Sequence, residues 1–384
     1  MKVVSLETFP VNVPFTTARL SRGRTGTTEV IVRIVTDTGL VGWGESAGHL
    51  GSAAAIEAMV RHAAPLVIGR DPWDKEAIAT EFFRRGTLHR WTRLAHFAYA
   101  GIDTALWDLC GKDVGKPIYQ LLGGAVRTEI DHCCHLFAAS PDEIAAQCKV
   151  GLERGYIVFY LPVGSDTRAE TAMLEAARAT IGPDRKLRVD ANELWNVNQA
   201  IRILNDWDAR VRLEFCEAPV PHDLPEAMAE VRAKVPCAIS ANECLNSETD
   251  VLRHVKARSA DVFCFSSYWV GTLRRFMTLA HLINIEGLRV TLHTMGELGI
   301  LATATHHAGL CVPDLVDGNQ QMAPVLVDDI LTERLPVASG PKWGLIDKPG
   351  LGVEVDEAKL RRFHEAYKRD GQNLMPEYRP KPAR

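Results

Sequence analysis

The chain has 384 residues, enough for one large domain and one smaller one, with 46% hydrophobic and 24% charged residues. A net charge of −4 with scattered Lys and Arg points away from nucleic acid and anionic membrane. No apolar run reaches the ~20 residues of a membrane span. The first residues, MKVVSLETFPVNV, are too polar in their continuation for a secretory leader, so the expected location is the cytoplasm. Nine cysteines without a CxxC, several inside apolar runs, are expected as reduced thiols rather than a disulfide framework.

Residues 2–13 and 29–44 alternate apolar and polar positions around the turn DTG, which predicts an antiparallel sheet. Residues 53–110 then read as helices, completing an α+β capping domain over 1–125. From Glu129 the pattern changes. Short apolar runs at 129–136, 157–163, 186–192, 213–219, 237–243, 261–267, 288–294 and 314–320 alternate with amphipathic stretches. One of these is VNQAIRILNDWDA, whose Val197, Ala200, Ile201, Leu204 and Trp207 share a helical face. Eight strands separated by helices predict an α/β fold in which a barrel closes over residues 126–349. An open doubly wound sheet is disfavoured because no GxGxxG follows the first strand. The tail, opening with PGLGVEVDEAKLRRFHEAY (349–367), is expected to form a last strand and helix that return to the cap over 350–384.

In such a barrel the chemistry gathers at the C-terminal ends of the strands. There the sequence places Asp190 and Asn192, then Glu217, then Asn242 and Glu243, and later His293, Asp317 and Asn319. Oxygen donors on three successive strands could converge on one hard cation such as Mg²⁺, since neighbouring strands lie ~4.8 Å apart. Any single acid at such a position more often caps the next helix. His293 after VTL supplies a group that titrates near neutrality. His306 and His307 fall inside the next helix and suit structural roles. Trp195, Tyr268 and Trp269 follow strand ends and could form an aromatic wall or simply pack.

Several segments resemble the enolase superfamily, in its mandelate racemase/muconate lactonising branch. They are GIDTALWDLCGKDVGKPIYQLLGG (101–124), VDAN (189–192), EAP (217–219) and PGLGVEVD (349–356). Within that branch ANEC (241–244), SSYW (266–269) and HTMGELGILATATHHAGLCVPDL (293–315) look most like the glucarate dehydratase group. The resemblance implies a modified TIM barrel, (β/α)7β, under an N-terminal α+β cap. It implies Mg²⁺ held by Asp190, Glu217 and a fifth-strand ligand, either Asn242 or Glu243. The implied activity is removal of a proton next to a carboxylate through a metal-stabilised enediolate. A small carboxylate substrate and a homo-oligomer are also implied.

The chain departs from that family where proton transfer is concerned. Tyr160 and Pro162 stand at the places of a Lys-x-Lys pair on the second strand. Phe265 or Ser266 stands where an Asp usually orients the seventh-strand His, and Asn319 where an acid is common. Three functions follow. The first is a hydro-lyase, a dehydratase of an acid sugar, with His293 as base or acid and Tyr160 as partner. The second is an isomerase, racemase or cycloisomerase. The third is a catalytically weak metal-binding member. Substrate contacts are expected from Asn192, His49, Tyr268 and Asn319, and from Arg19, Arg22 and Arg24 on the loop FTTARLSRGRTGTTE (15–29).

Overall fold

The structure is a computed structural model that describes residues 1–16, 24–86, 93–137, 139–221 and 224–373. Arg19 and Arg22 lie outside the described residues.

Strands β1 (Val3–Pro14), β2 (Gly26–Thr36) and β3 (Val41–Ser46) form an antiparallel sheet in the order β1-β2-β3. The helix Arg93–Asp113 packs on β3, so closely that a Cβ on Gly44 would collide with the carbonyl of Gly101. The C-terminal helix Glu357–Asp370 returns to β1. There the His364 ring meets the Pro10 carbonyl at 2.7 Å, and Asn12 Nδ2 donates to the Gly371 carbonyl at 2.6 Å. The strand expected before that helix is reduced to one antiparallel bridge, Leu331 with Val355.

The second layer is a parallel sheet of seven strands. They are β5 (Cys134–His135), β6 (Val158–Pro162), β7 (Lys186–Asp190), β8 (Phe215–Glu217), β9 (Ala238–Ala241), β10 (Val262–Phe265) and β11 (Arg289–Leu292), hydrogen-bonded in sequence order. The first expected strand is divided. Glu129–Asp131 (β4) pairs antiparallel with Lys342–Gly344 (β12) at the barrel base, and only Cys134–His135 enters the barrel. The split puts Cys133 against Val158 and Tyr160 inside. Cys134 lies on the outer face, beside Gly151. All nine cysteines are free thiols.

The amphipathic stretches fold as the spacing demands. Asn196 and Gln199 form a reciprocal capping box that starts the helix Val197–Val211, whose Ala200, Leu204, Trp207 and Val211 are buried. Burial contributes about 2 kcal/mol for each large apolar side chain.

The eighth expected strand, 314–320, is not a continuous ladder. The ring closes through isolated parallel bridges, Leu315 to Val290 and Asn319 to His132. Side chains supply the missing bonds. Arg188, fully buried, donates to Glu214 and to the Gly318 carbonyl, both at 2.6 Å. Asn319 Oδ1 accepts from the Leu292 amide (2.8 Å) and the Thr291 hydroxyl (3.3 Å). Its Nδ2 donates to the carbonyls of Val316 (2.9 Å) and Asp131 (3.2 Å). Asn319 therefore does not contact substrate, because its amide is consumed in joining the barrel edges. Replacing Asn319 by Leu should lower unfolding free energy by about 2–4 kcal/mol, since buried backbone groups lose their partners. Denaturant unfolding checks this, and a change below about 1 kcal/mol would remove Asn319 from that role.

Candidate active site

Alternation along the strands sends every second side chain into the barrel. On β7 and β8 the inward rows end in Asp190 and Glu217, which are register partners. Ser240 pairs with Glu217 on β9, and the same row continues to Asn242. These groups open onto a cavity of about 950 Å³. Its wall also includes His135, Tyr160, Asn192, Glu243, His293 and Gln320. The expected residues Asp190, Asn192, Glu217, Asn242, Glu243, His293 and Tyr160 are thus brought together. No lysine or arginine lines the cavity among the described residues.

The carboxylates share a buried, negative environment. Burial, then the charges of Asp190 and Glu243, push the Glu217 carboxyl well above its ordinary range. Burial with Asp190 and Glu193 pushes Glu243 up to about 8. One Glu243 oxygen, Oε2, is buried without a hydrogen bond. Asn242 Nδ2 donates to the Cys264 carbonyl at 2.8 Å, and Oδ1 makes no hydrogen bond among the described residues. Asp190 Oδ1 accepts the Asn192 amide at 2.8 Å, and Asn192 holds a positive φ of 47° in doing so. Among the described residues no three His, Cys, Asp or Glu side chains form a ready metal cluster. The oxygen set here includes an amide.

Neutral donors occupy the ground where lysines were missing. The Tyr160 hydroxyl bonds to Asp190, and burial together with the Asp190 and Glu217 charges raises its pKa well above the phenol value. Tyr160 therefore stands as a hydrogen-bond donor to Asp190. Gln320 Nε2 donates to Glu217 at 3.0 Å and lies 3.4 Å from the Tyr160 hydroxyl. Pro162 ends β6 beside Asp190.

Across the cavity stand two histidines. Burial, then His49, Arg93 and His135, hold His293 well below its usual pKa. Burial, then His132, brings His135 down to about 4. Both rings are neutral at pH 7. His293 Nδ1 lies 2.7 Å from the hydroxyl of Tyr268.

Three expected substrate contacts are elsewhere. Tyr268 is fully buried behind His293 and lies outside the cavity wall. Arg24 is buried and donates to the Met295 carbonyl at 2.9 Å. The His49 ring lies 2.5 Å from Glu29 Oε1, and burial pulls its pKa down to about 3. Arg24 and His49 thus fasten cap to barrel, because packing of the loop base excludes the solvent that a contact loop needs. Trp195 packs on Trp207 and Trp269 on His293, both buried outside the cavity. His135 and Gln320 are the residues that strand-end reasoning passed over. Period-2 alternation marks both, as the next inward positions after Cys133 and Gly318.

Residues 143–359 match the family described as enolase C-terminal domain-like. Residues 2–123 match the mandelate racemase/muconate lactonizing enzyme N-terminal domain. The chain belongs to the mandelate racemase/muconate lactonizing enzyme family of the enolase superfamily. D-galactarolactone cycloisomerase from Agrobacterium fabrum is 28% identical over 94% of this chain and 99% of its own. A Streptomyces coelicolor protein named "Probable glucarate dehydratase" is 28% identical over 91% of this chain and 87% of its own. An isomerase structure from Streptomyces coelicolor A3(2) superposes with a TM-score of 0.87 at 31% identity, covering 97% of this chain and all of that one. An enolase from Thermobispora bispora, solved with magnesium and formate, gives 0.87 at 26% over 97% of this chain and 95% of that one. The capped (β/α)7β barrel is the architecture of this family, and its members differ in reaction. Among the described residues no helix is long and apolar enough to cross a membrane.

The buried neutral histidines set an acid limb of stability. His132, His135 and His307 have folded pKa values of about 4 and His49 of about 3, against about 6.5 unfolded. Between those limits each of these histidines binds more protons in the unfolded chain, so its own contribution to stability rises with pH from about 4 to 6.5, while the raised carboxyls of Glu217 and Glu243 contribute with the opposite sign. The histidine share is isolated by comparing melting curves of the wild type and His135→Asn across that window, where the variant should lose an upward component of the slope. An identical slope would mean that His135 is charged in the folded protein.

Proposed function

We propose that this enolase-superfamily protein is a Mg²⁺-dependent hydro-lyase that dehydrates a hydroxy-carboxylate of the acid-sugar class. The observation that carries this reading is the division of the cavity. Oxygen donors come from three adjacent strands, β7, β8 and β9, two neutral imidazoles come from β5 and the end of β11 at the two ends of the sheet, and no lysine lines the cavity among the described residues.

The donor set fits a hard divalent cation. Asp190, Glu217 and Asn242 through Oδ1 would hold it, with Glu243 alongside. Asn242 continues the inward row of β9, and its Oδ1 makes no hydrogen bond among the described residues. A dication offsets the burial and mutual repulsion that push the Glu217 and Glu243 carboxyls up. When bound, it makes the carbon next to a carboxylate acidic by stabilising charge on the carboxylate oxygens. Tyr160 and Gln320 hold Asp190 and Glu217 in place through hydrogen bonds. His293 and His135 face the substrate and do its hydrogen-bonding and proton work.

Elimination needs one α-proton removed and one hydroxide lost, whereas racemisation needs a proton acceptor and donor on opposite faces of the same carbon. Tyr160 and Pro162 offer no second base, which favours elimination. An isomerisation such as cycloisomerisation moves a single proton and is the second reading, supported by the relatives of that activity. A small carboxylate substrate, a symmetric homo-oligomer and a cytoplasmic location complete the proposal.

The test is incubation with Mg²⁺ and an acid-sugar library in D₂O, followed by ¹H NMR. Loss of the α-proton signal with appearance of a 2-keto-3-deoxy product is expected for at least one acid. Glu217→Gln should lower that rate by about 10²-fold or more, the scale of a lost electrostatic stabiliser. Exchange without dehydration would favour the isomerase reading, and no exchange across the library would remove both.

A further inference from the structure

The hydrogen on Tyr268 decides what His293 can do. Tyr268 is fully buried, and its hydroxyl makes one hydrogen bond among the described residues, to His293 Nδ1 at 2.7 Å. A buried hydroxyl hydrogen left without an acceptor costs about 1–3 kcal/mol. If His293 carried its proton on Nδ1, the tyrosine would have to accept there, and its own hydrogen would point at nothing. No second acceptor lies within hydrogen-bond distance of that hydroxyl among the described residues; the rings of His49, Phe97 and Trp269 surround it at 6.2, 6.3 and 6.1 Å between centroids, and the carboxylates of Glu297, Glu29 and Glu45 act on it through charge alone. Tyr268 must therefore donate, and Nδ1 must accept.

We infer that Tyr268 fixes His293 as the Nε2–H tautomer, so that His293 gives substrate a hydrogen bond and the α-proton goes to His135. An acidic orienting partner would do the reverse, holding a proton on Nδ1 and freeing Nε2 as a base. Here the sixth strand ends in Phe265 and Ser266, and the Ser266 hydroxyl is spent on the His293 carbonyl at 2.7 Å. The ring is clamped on its far face by Trp269, whose centroid lies 5.1 Å away. Nε2 is then the nitrogen presented to the cavity that His293 lines. A neutral imidazole N–H polarises an oxygen without needing to ionise.

His135 is differently placed. Its ring touches Tyr160 and Phe137. Its polar neighbour is the Cys133 thiol, 3.8 Å from Nδ1 and 4.0 Å from Nε2, too weak a partner to fix a tautomer. His135 lines the same cavity as His293, with neither ring nitrogen committed to a stronger partner among the described residues. Resting on the function proposed above, the step is balanced within the site. The C–H bond at the α-carbon breaks, its proton passes to His135, and its electron pair enters the carboxylate to give the enediolate. An enediolate oxygen then accepts the hydrogen bond from His293 Nε2. Tyr268 is a positioning residue.

The test is ¹⁵N NMR of the full chain labelled at histidine, at pH 7, with His293 assigned by its loss in His293→Gln. The expected pattern is a protonated Nε2 and an unprotonated Nδ1, giving way to mixed tautomers in Tyr268→Phe. A protonated Nδ1 with bare Nε2, or an imidazolium, would overturn the inference. This measurement needs no substrate, so it stands if the proposed reaction fails. With an exchanging acid in hand, folded His135→Gln should slow α-deuteration by about 10²-fold or more. Deuteration at the wild-type rate would overturn the assignment of His135.

Discussion

Mutual repulsion among buried carboxylates is the constraint around which this barrel mouth is arranged. Asp190 and Glu217 are side by side because β7 and β8 are in register, and Glu243 feels both across the rim. No lysine or arginine among the described residues lines the cavity to offset them, and the Arg93 guanidinium lowers the Glu243 carboxyl only against the larger effects of burial, Asp190 and Glu193. Such a cluster is stable when protons or a dication discharge it. The rest of the site can be understood as support for that condition. The Tyr160 hydroxyl and the Gln320 amide donate to the carboxylates while adding no charge, which leaves the positive role to a cation.

The same economy of charge extends across the cavity. Desolvation keeps both histidines neutral, and a phenol rather than a carboxylate stands behind His293. Buried acids are nevertheless plentiful between cap and barrel. Glu29 accepts the Gly48 amide at 2.9 Å, and Glu45 accepts the amides of Leu298 (2.6 Å) and Leu301 (2.9 Å). Glu45 thus binds the start of the helix Gly299–Gly309, and Glu29 binds the cap turn at Gly48. Glu45 thereby fixes the loop between His293 and that helix without acting as the histidine's partner.

Much of the frame was legible because it rests on periodicity. The alternation of apolar runs with amphipathic stretches marked eight strand positions and put Asp190, Glu217 and the Asn242–Glu243 pair at strand ends, while the choice between Asn242 and Glu243 stayed open. Legibility failed where a tertiary contact overrides local pattern. The closing strand is a chain of isolated bridges, because Arg188 and Asn319 side chains do the work of a ladder. Asn319 was thereby mistaken for a site residue, while Gln320, one position on, faces the cavity. Arg24, His49 and Tyr268 look like contact residues in sequence, since nothing local tells that packing of cap on barrel will bury them. The tautomer of His293 was invisible for the same reason: the residue behind it arrives from another strand.

The account stands on a divalent cation shared by three strand ends. The most direct measurement is anomalous diffraction from crystals soaked in Mn²⁺ as a stand-in for Mg²⁺. It should show a single peak within coordination distance of oxygens from Asp190, Glu217 and Asn242. A mouth without a peak, or a peak bound by Glu243 with Asn242 turned away, would contradict the arrangement argued from the strand register.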